Sequence, residues 1–337
     1  MPNVSRRTAL RLGTVSAAST VLAAGGGAYA TGSAPAVGTL SPSPTPPATP
    51  TPSPSADPHR VAELVKASYD TASAQAGGTW NAYVSVAGTP APAIAAVDVG
   101  SDAVVEAYSI NKLAVATAVL DKVDKGTLKL DAKVDVTADI VIPDGDGIFR
   151  LDGAYPSNVT VGHALSALLT VSDDTAVRLC GLVCTASEIN ATMTAKGFPH
   201  TQVTPAADPH RFFLGKTTPK EAHDLLQALA TGKLLAAAST SYLLTILRSP
   251  IAYTDGIRLN MSTTERLRVA SKVGSLNSGR NEAGVIFTAG GQPALTYAMF
   301  ATRDGDNTNF GPTHPLIHAR TLMGRQFYDA VAPSSKP

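Results

Sequence analysis

Only two of the 337 residues are cysteines, Cys180 and Cys184, which excludes a disulfide framework. Four apart on an expected helix, they read as small buried apolar residues. Basic clusters and acidic tracts are missing as well. The 27 Lys and Arg are scattered against 26 Asp and Glu, for a formal charge of +1, so no nucleic-acid surface is indicated. His314 and His318 stand four apart without the glutamate of H-E-x-x-H between them, and Pro315 reads as a helix start. Neither a metal nor any other cofactor is expected. A G-x-S-x-G elbow, the mark of one large class of serine hydrolases, is absent.

What is present begins with addressing. "SRRTALRLG" leads into the apolar "TVSAASTVLAAGGGA" and then the small-x-small Ala28-Tyr29-Ala30, the order of a secretory signal. Its Arg6-Arg7 pair resembles a twin-arginine export signal. The apolar core is interrupted by Gly, Ser and Thr and is too short for a membrane span, so no stable membrane insertion is expected after cleavage. Residues 31–57 are Ser, Thr, Pro, Ala and Gly with almost no large apolar side chain, which predicts an extended spacer. Residues 58–333 are left, enough for one large domain or two tightly joined lobes, expected to be secreted or cell-wall associated. Nothing in its sequence requires more than a monomer.

Periodicity in that domain predicts a helix over 59–76, strands at "TWNAYVSVAG" and "PAIAAVDVG", and a helix from Ser109. Further helices are expected at 161–170, at 173–183, from Pro219, from Ala236 and near Pro315. An irregular loop is read at 199–216. Three strands joined by short turns ("RVASKVGSL", "NEAGVIFTA", "PALTYAMFATR") close the pattern. Strands at both ends with helices between them give an α+β class, an antiparallel sheet beside a helical lobe.

The helix from Ser109 is apolar on all sides from Leu113 to Leu120 yet contains Lys112. Residues three apart share a helix face, which sets the Lys112 amine near the Ser109 hydroxyl. An alcohol needs a base to become a nucleophile, and a desolvated lysine can serve as one. S-x-x-K alone is common. Two further stretches give it weight: Ser172-Asp173-Asp174 after an apolar helix, and Lys272-Val273-Gly274-Ser275 ending a strand.

In this order the three resemble the S-x-x-K, S-D-N and K-T-G elements of class A β-lactamases and penicillin-binding proteins. The resemblance extends over essentially all of residues 58–333, and it implies a β-lactamase-like fold, with an antiparallel sheet flanked by the N- and C-terminal helices. By residue, it implies Ser109 as nucleophile, Lys112 as base or relay, and Ser172 as proton donor to the leaving nitrogen. The amides of Ser109 and Ser275 would form the oxyanion hole, and Lys272 would supply positive potential at a substrate carboxylate, with Arg280 beside it.

Departures cluster at the hydrolytic step. The family's glutamate, which activates water ahead of a T-T-P helix start, has no counterpart before "KTTPKEA"; the nearest acid is Asp208, one methylene shorter and followed by Pro209. Asp174 replaces the asparagine of S-D-N, and Val273 the hydroxyl of K-T-G. Three readings follow: a serine hydrolase acting weakly or atypically on a β-lactam or related amide; a D-alanyl-D-alanine peptidase or penicillin-binding protein acting on cell-wall peptide; and a non-catalytic sensor or binding protein. The expected partner is accordingly a small-molecule β-lactam or a cell-wall peptide.

Overall fold

Helix α1 (Pro58–Ala76) starts where the sequence supplies a start: Asp57 accepts a hydrogen bond from the His59 amide at 3.0 Å, and Pro58 occupies the first turn. The computed structural model describes residues 57–88 and 92–332. The expected signal (1–30) and the expected spacer, apart from Asp57, lie outside the described residues. After α1 come β1 (Thr79–Val86), β2 (Ile94–Val99) and the short β3 (Val105–Glu106). A 3₁₀ turn, Tyr108–Asn111, opens into α2 (Lys112–Asp124). The middle of the chain holds β4 (Lys133–Val136), α3 (Phe149–Asp152), β5 (Ser157–Thr160), α4 (Val161–Thr170), α5 (Asp174–Val183) and α6 (Ala186–Ala195). The strands β6 (Gln202–Pro205) and β7 (Phe212–Thr217) follow, then α7 (Pro219–Ala230), α8 (Ala237–Leu247) and α9 (Thr263–Arg266). The chain ends in β8 (Val269–Leu276), β9 (Gly279–Phe287), β10 (Pro293–Thr302) and α10 (Pro315–Val331).

Five strands form one antiparallel sheet in the order β2-β1-β10-β9-β8. Its central strands are buried on both faces because each face carries its own core. On β10, Ala298 and Phe300 turn towards the helical lobe, while Tyr297, Met299 and Ala301 turn the other way onto α1 and α10. That is the period-2 alternation of a pleated strand. Helices α1 and α10 therefore meet on one face of the sheet, and α2 sits within the opposite core. Every residue of α2 from Lys112 to Asp121 is buried, which fits its all-round apolar sequence. The α+β class expected from the sequence is the class observed.

Besides the short β3, β4, β5, α3 and α9, which the sequence reading did not anticipate, two longer segments differ from it. Helix α6 was not expected, although Thr185 and Glu188 form a complete capping box at its start. Residues 199–216 are not irregular: β6 and β7 pair as an antiparallel hairpin, with Thr204 opposite Phe213 and Pro205 opposite Phe212. Its six-residue tip, 206–211, carries too much Asp, Pro and His to advertise strands on either side.

Candidate active site

The 3₁₀ turn that presents Ser109 is held from three directions. Tyr108 has a positive φ of 48°, unusual for a bulky residue, and its ring occupies space left by Gly279, where a Cβ would lie 2.2 Å from Tyr108 Cε2. From the side, β8 approaches so closely that a Cβ on Gly274 would lie 3.0 Å from the amide nitrogens of both Ser109 and Ile110. Only a residue without a side chain lets the Lys272-Val273-Gly274-Ser275 strand end lie against the Ser109 backbone. From below, the buried Asn111 amide nitrogen faces the carbonyls of Leu214 at 2.7 Å, Lys216 at 2.9 Å and Gln202 at 3.3 Å. The Ala107 amide adds a bond to Gly215 O at 2.9 Å. The hairpin is thereby fixed to the turn that carries the candidate nucleophile.

Behind Ser109 two lysines converge on one hydroxyl. Lys112 Nζ donates to Ser172 Oγ at 3.0 Å, and Lys272 Nζ donates to the same oxygen at 2.9 Å. Lys112 is fully buried and has two more acceptors, Ser172 O at 2.5 Å and Asp174 Oδ1 at 2.7 Å. Three acceptors match the three protons of an ammonium. Lys272 also donates to its neighbour's carbonyl, Val273 O, at 2.7 Å. Ser172 itself has a positive φ of 53°, which turns its hydroxyl towards both lysines. Asp173 secures this turn: its carboxylate accepts from the Ile148, Phe149 and Ala176 amides at 2.6, 2.9 and 2.9 Å. It also caps α5.

The cavity in front, about 370 Å³, is lined by Ser109, Tyr108, Glu106, Asp146, Asp174, the β7 residues Phe213 to Gly215, Ser275, Leu276 and Phe310. Burial, then the Glu106 carboxylate, raise the pKa of Tyr108 against an opposing effect of Arg280, which keeps the phenol neutral. The structure thus brings together Ser109, Lys112, Ser172, Asp174, Lys272 and Ser275.

It does not bring Asp208 to them. Asp208 lies in the hairpin tip, where its carboxylate accepts from the His210 amide at 2.9 Å and lies 3.7 Å from Arg211 Nε. The tip docks instead on the far end of α5: His210 Nδ1 lies 2.8 Å from Gly181 O, and a Cβ on Gly181 would come within 2.1 Å of His210 O. Seven helical residues separate Gly181 from Asp174, about 10 Å along the axis. The reading of Asp208 as a base at Ser109 is therefore corrected by the hairpin, which carries its tip onto Gly181.

Arg280 is likewise absent from the lining. It is fully buried, donates to the carbonyls of Asn277, Gly279 and Asn309, and stacks 4.3 Å from the Phe310 ring centroid. Backbone carbonyls have claimed its donors, and it shapes the Phe310 wall in place of meeting a substrate carboxylate.

The sequence reading missed Asn111, Glu106, Asp146 and Phe310. Asn111 had a signal, because an amide in an all-apolar helix must find buried partners. Asp146 and Phe310 carry none, since their proximity to Ser109 arises from separate loops, and Glu106, three residues before Ser109 on β3, belongs to no motif. A second serine constellation also went unnoticed: Ser85 Oγ lies 2.8 Å from His223 Nε2, and His223 Nδ1 lies 2.8 Å from Asp224 Oδ1. Burial lowers the His223 pKa, against the opposing effect of Asp224. With Ser85 only 4% exposed between β1 and α7, no carbonyl substrate reaches it. It ties the sheet to α7. Cys180 and Cys184 are buried free thiols, and burial raises the pKa of both. Among the described residues no three His, Cys, Asp or Glu side chains are grouped as a metal site.

This geometry agrees with what the chain is similar to. Residues 62–331 match the Beta-lactamase enzyme family, and the chain belongs to that family. Among solved structures, a β-lactamase from Sphaerobacter thermophilus superposes with a TM-score of 0.64 at 21% identity, over 79% of this chain and 96% of that one. A β-lactamase from Chitinophaga pinensis gives 0.65 at 20% identity, over 79% and 98%. PBP-A gives 0.63 at 18% identity, over 79% and 96%. At these identities the likeness establishes the β-lactamase fold. Comparison of the sequence with curated proteins finds no match.

Proposed function

We propose that this protein is an exported serine hydrolase that is acylated at Ser109 by a β-lactam or related amide and releases the acyl group slowly. The observation that carries this reading is the convergence of Lys112 and Lys272 on the Ser172 hydroxyl, behind Ser109. In the proposed reaction Ser109 Oγ attacks the carbonyl and the C–N bond breaks. Ser172 gives its proton to the leaving nitrogen and is reprotonated by Lys112, which in turn takes the Ser109 proton, leaving a neutral amine, an ester on Ser109 and Lys112 again an ammonium. The amides of Ser109 and Ser275, which the close packing of Gly274 supports as a pair, would hold the oxyanion; each such donor contributes on the order of a hundredfold or more in rate.

Slow release follows from the hairpin. The family's glutamate has no counterpart there, and Asp208 is engaged at the tip. The same observation supports a second reading, a penicillin-binding protein or D-alanyl-D-alanine peptidase acting on cell-wall peptide. A variant of PBP-A, one of the structures of this fold, is described as an acyl-enzyme complex with penicillin G. Export by a twin-arginine signal to the cell surface, on residues 1–30, belongs to this proposal.

Intact mass spectrometry of the protein with a penicillin, followed from seconds to hours, tests it. A Ser109-dependent adduct that persists, absent in Ser109→Ala, is expected, and Asp208→Ala leaves its decay within about twofold. No adduct refutes the acylation. Rapid decay that depends on Asp208 refutes the account of the hairpin.

A further inference from the structure

The residues lining the Ser109 cavity carry an uneven charge. Three are carboxylates, Glu106, Asp146 and Asp174, and among the described residues none is Lys or Arg. Asp146 and Asp174 stand side by side, with each amide bonded to the other residue: Asp146 N to Asp174 Oδ2 at 2.9 Å, and Asp174 N to Asp146 O at 3.0 Å. Glu106 enters from the neighbouring strand. Among the described residues, the cations seen around the cavity are set back or exposed. Lys112 is fully buried against Asp174, Lys272 is 2% exposed and donates to Ser172 and Val273, and Arg280 is engaged behind Phe310. Lys216 comes only within 3.9 Å of Glu106, with both side chains more than half exposed, where solvent screens the pair.

The rest of the lining is apolar. Phe213 is 71% exposed on the hairpin rim, and Leu214, Leu276 and Phe310 complete a greasy wall. Arg280 stacking and the Asn309 carbonyl hold Phe310 in place.

We infer that the site selects acyl donors whose acyl side chain is apolar and bears an ammonium, and discriminates against those bearing a carboxylate there. This rests on the acylation of Ser109 proposed above and names its substrate class. Apolar walls desolvate an aromatic or aliphatic group, while the acidic flank favours a positive charge beside it and repels a negative one.

Three penicillins that share one ring system and differ only at the α-carbon of a phenylacetyl side chain provide the test: ampicillin with an ammonium, benzylpenicillin with hydrogen, and carbenicillin with a carboxylate. The readout is the second-order rate constant for Ser109 labelling by intact mass, or kcat/KM if turnover follows. The expected order is ampicillin, benzylpenicillin, carbenicillin, with at least about a tenfold spread between first and last. Glu106→Gln combined with Asp146→Asn, checked for an unchanged melting temperature, compresses that spread, as does raising the salt concentration. Equal rates, or carbenicillin fastest, overturn the inference while leaving acylation intact. A spread unmoved by the double variant overturns the assignment to these carboxylates. Labelling by none of the three refutes the acylation itself, and the inference with it.

Discussion

Replacing Asn111 by leucine removes the amide that joins the hairpin to the turn under Ser109 and leaves a branched side chain with the same heavy-atom skeleton but two bulkier methyl ends. The asparagine nitrogen has two protons and faces three carbonyls; the contacts at 2.7 and 2.9 Å to Leu214 and Lys216 are the strong pair. Each net hydrogen bond contributes about 1 kcal/mol, and a buried carbonyl left without a partner costs about 1–3 kcal/mol. The loss is therefore roughly 2–4 kcal/mol, with little offset from the added apolar surface. For a domain of this size that corresponds to a fall in Tm of roughly 3–7 °C. Denaturant unfolding measures the first quantity and calorimetry the second. Hydrogen exchange adds location: amides of β6 and β7 lose protection more than those of α1 or β10, because only the hairpin is released. Asn111→Asp is expected to be worse than leucine, since it sets a carboxylate against three carbonyl oxygens. A change below about 1 kcal/mol for Asn111→Leu, or exchange spread evenly over the domain, would refute the clamp.

Gly274→Ala places a methyl 3.0 Å from the Ser109 and Ile110 amides and from Ala107 O, all of them backbone atoms that yield only if the strand or the turn shifts. Acylation of Ser109 is expected to slow by roughly ten- to a hundredfold, with a stability loss of about 1–3 kcal/mol, read from labelling kinetics and melting. His314 caps α10 through its ring, Nδ1 accepting from Leu316 N at 3.2 Å, and burial together with Arg280 and Arg320 lowers its pKa to about 4. The unfolded chain then binds a proton at higher pH than the folded one, so stability is full above about pH 6.5 and declines as pH falls towards 4. His314→Asn, which keeps a capping acceptor, flattens that window in a pH series of denaturant midpoints.

The motifs at Ser109, Ser172 and Lys272 were legible because each is a local requirement. S-x-x-K needs only one helical turn, and a buried lysine in an apolar helix declares itself by its cost. The alternating strands and the helix starts at Pro219 and Pro315 were legible for the same reason, since each depends on a few adjacent residues. Asp208 shows where such reading stops. Its distance along the chain from Ser172 suited a base at Ser109, but chain distance does not fix where a loop tip lies. Once Thr204 pairs with Phe213, the tip is carried onto Gly181 and away from the site.

Arg280 fails in the same way, since a residue on the right strand still points where its partners are, and those partners are carbonyls of its own turn, Asn277 and Gly279, and of the distant Asn309. Apart from Asp174, the distant part of the acidic and aromatic lining belongs to tertiary structure, because Asp146, Phe213 and Phe310 reach the cavity from three segments remote from Ser109. The sequence by itself determined which groups can react at Ser109. Packing of β8, the hairpin and the Phe310 loop decided what surrounds them, because contacts between distant segments depend on how whole elements stack and not on any local pattern.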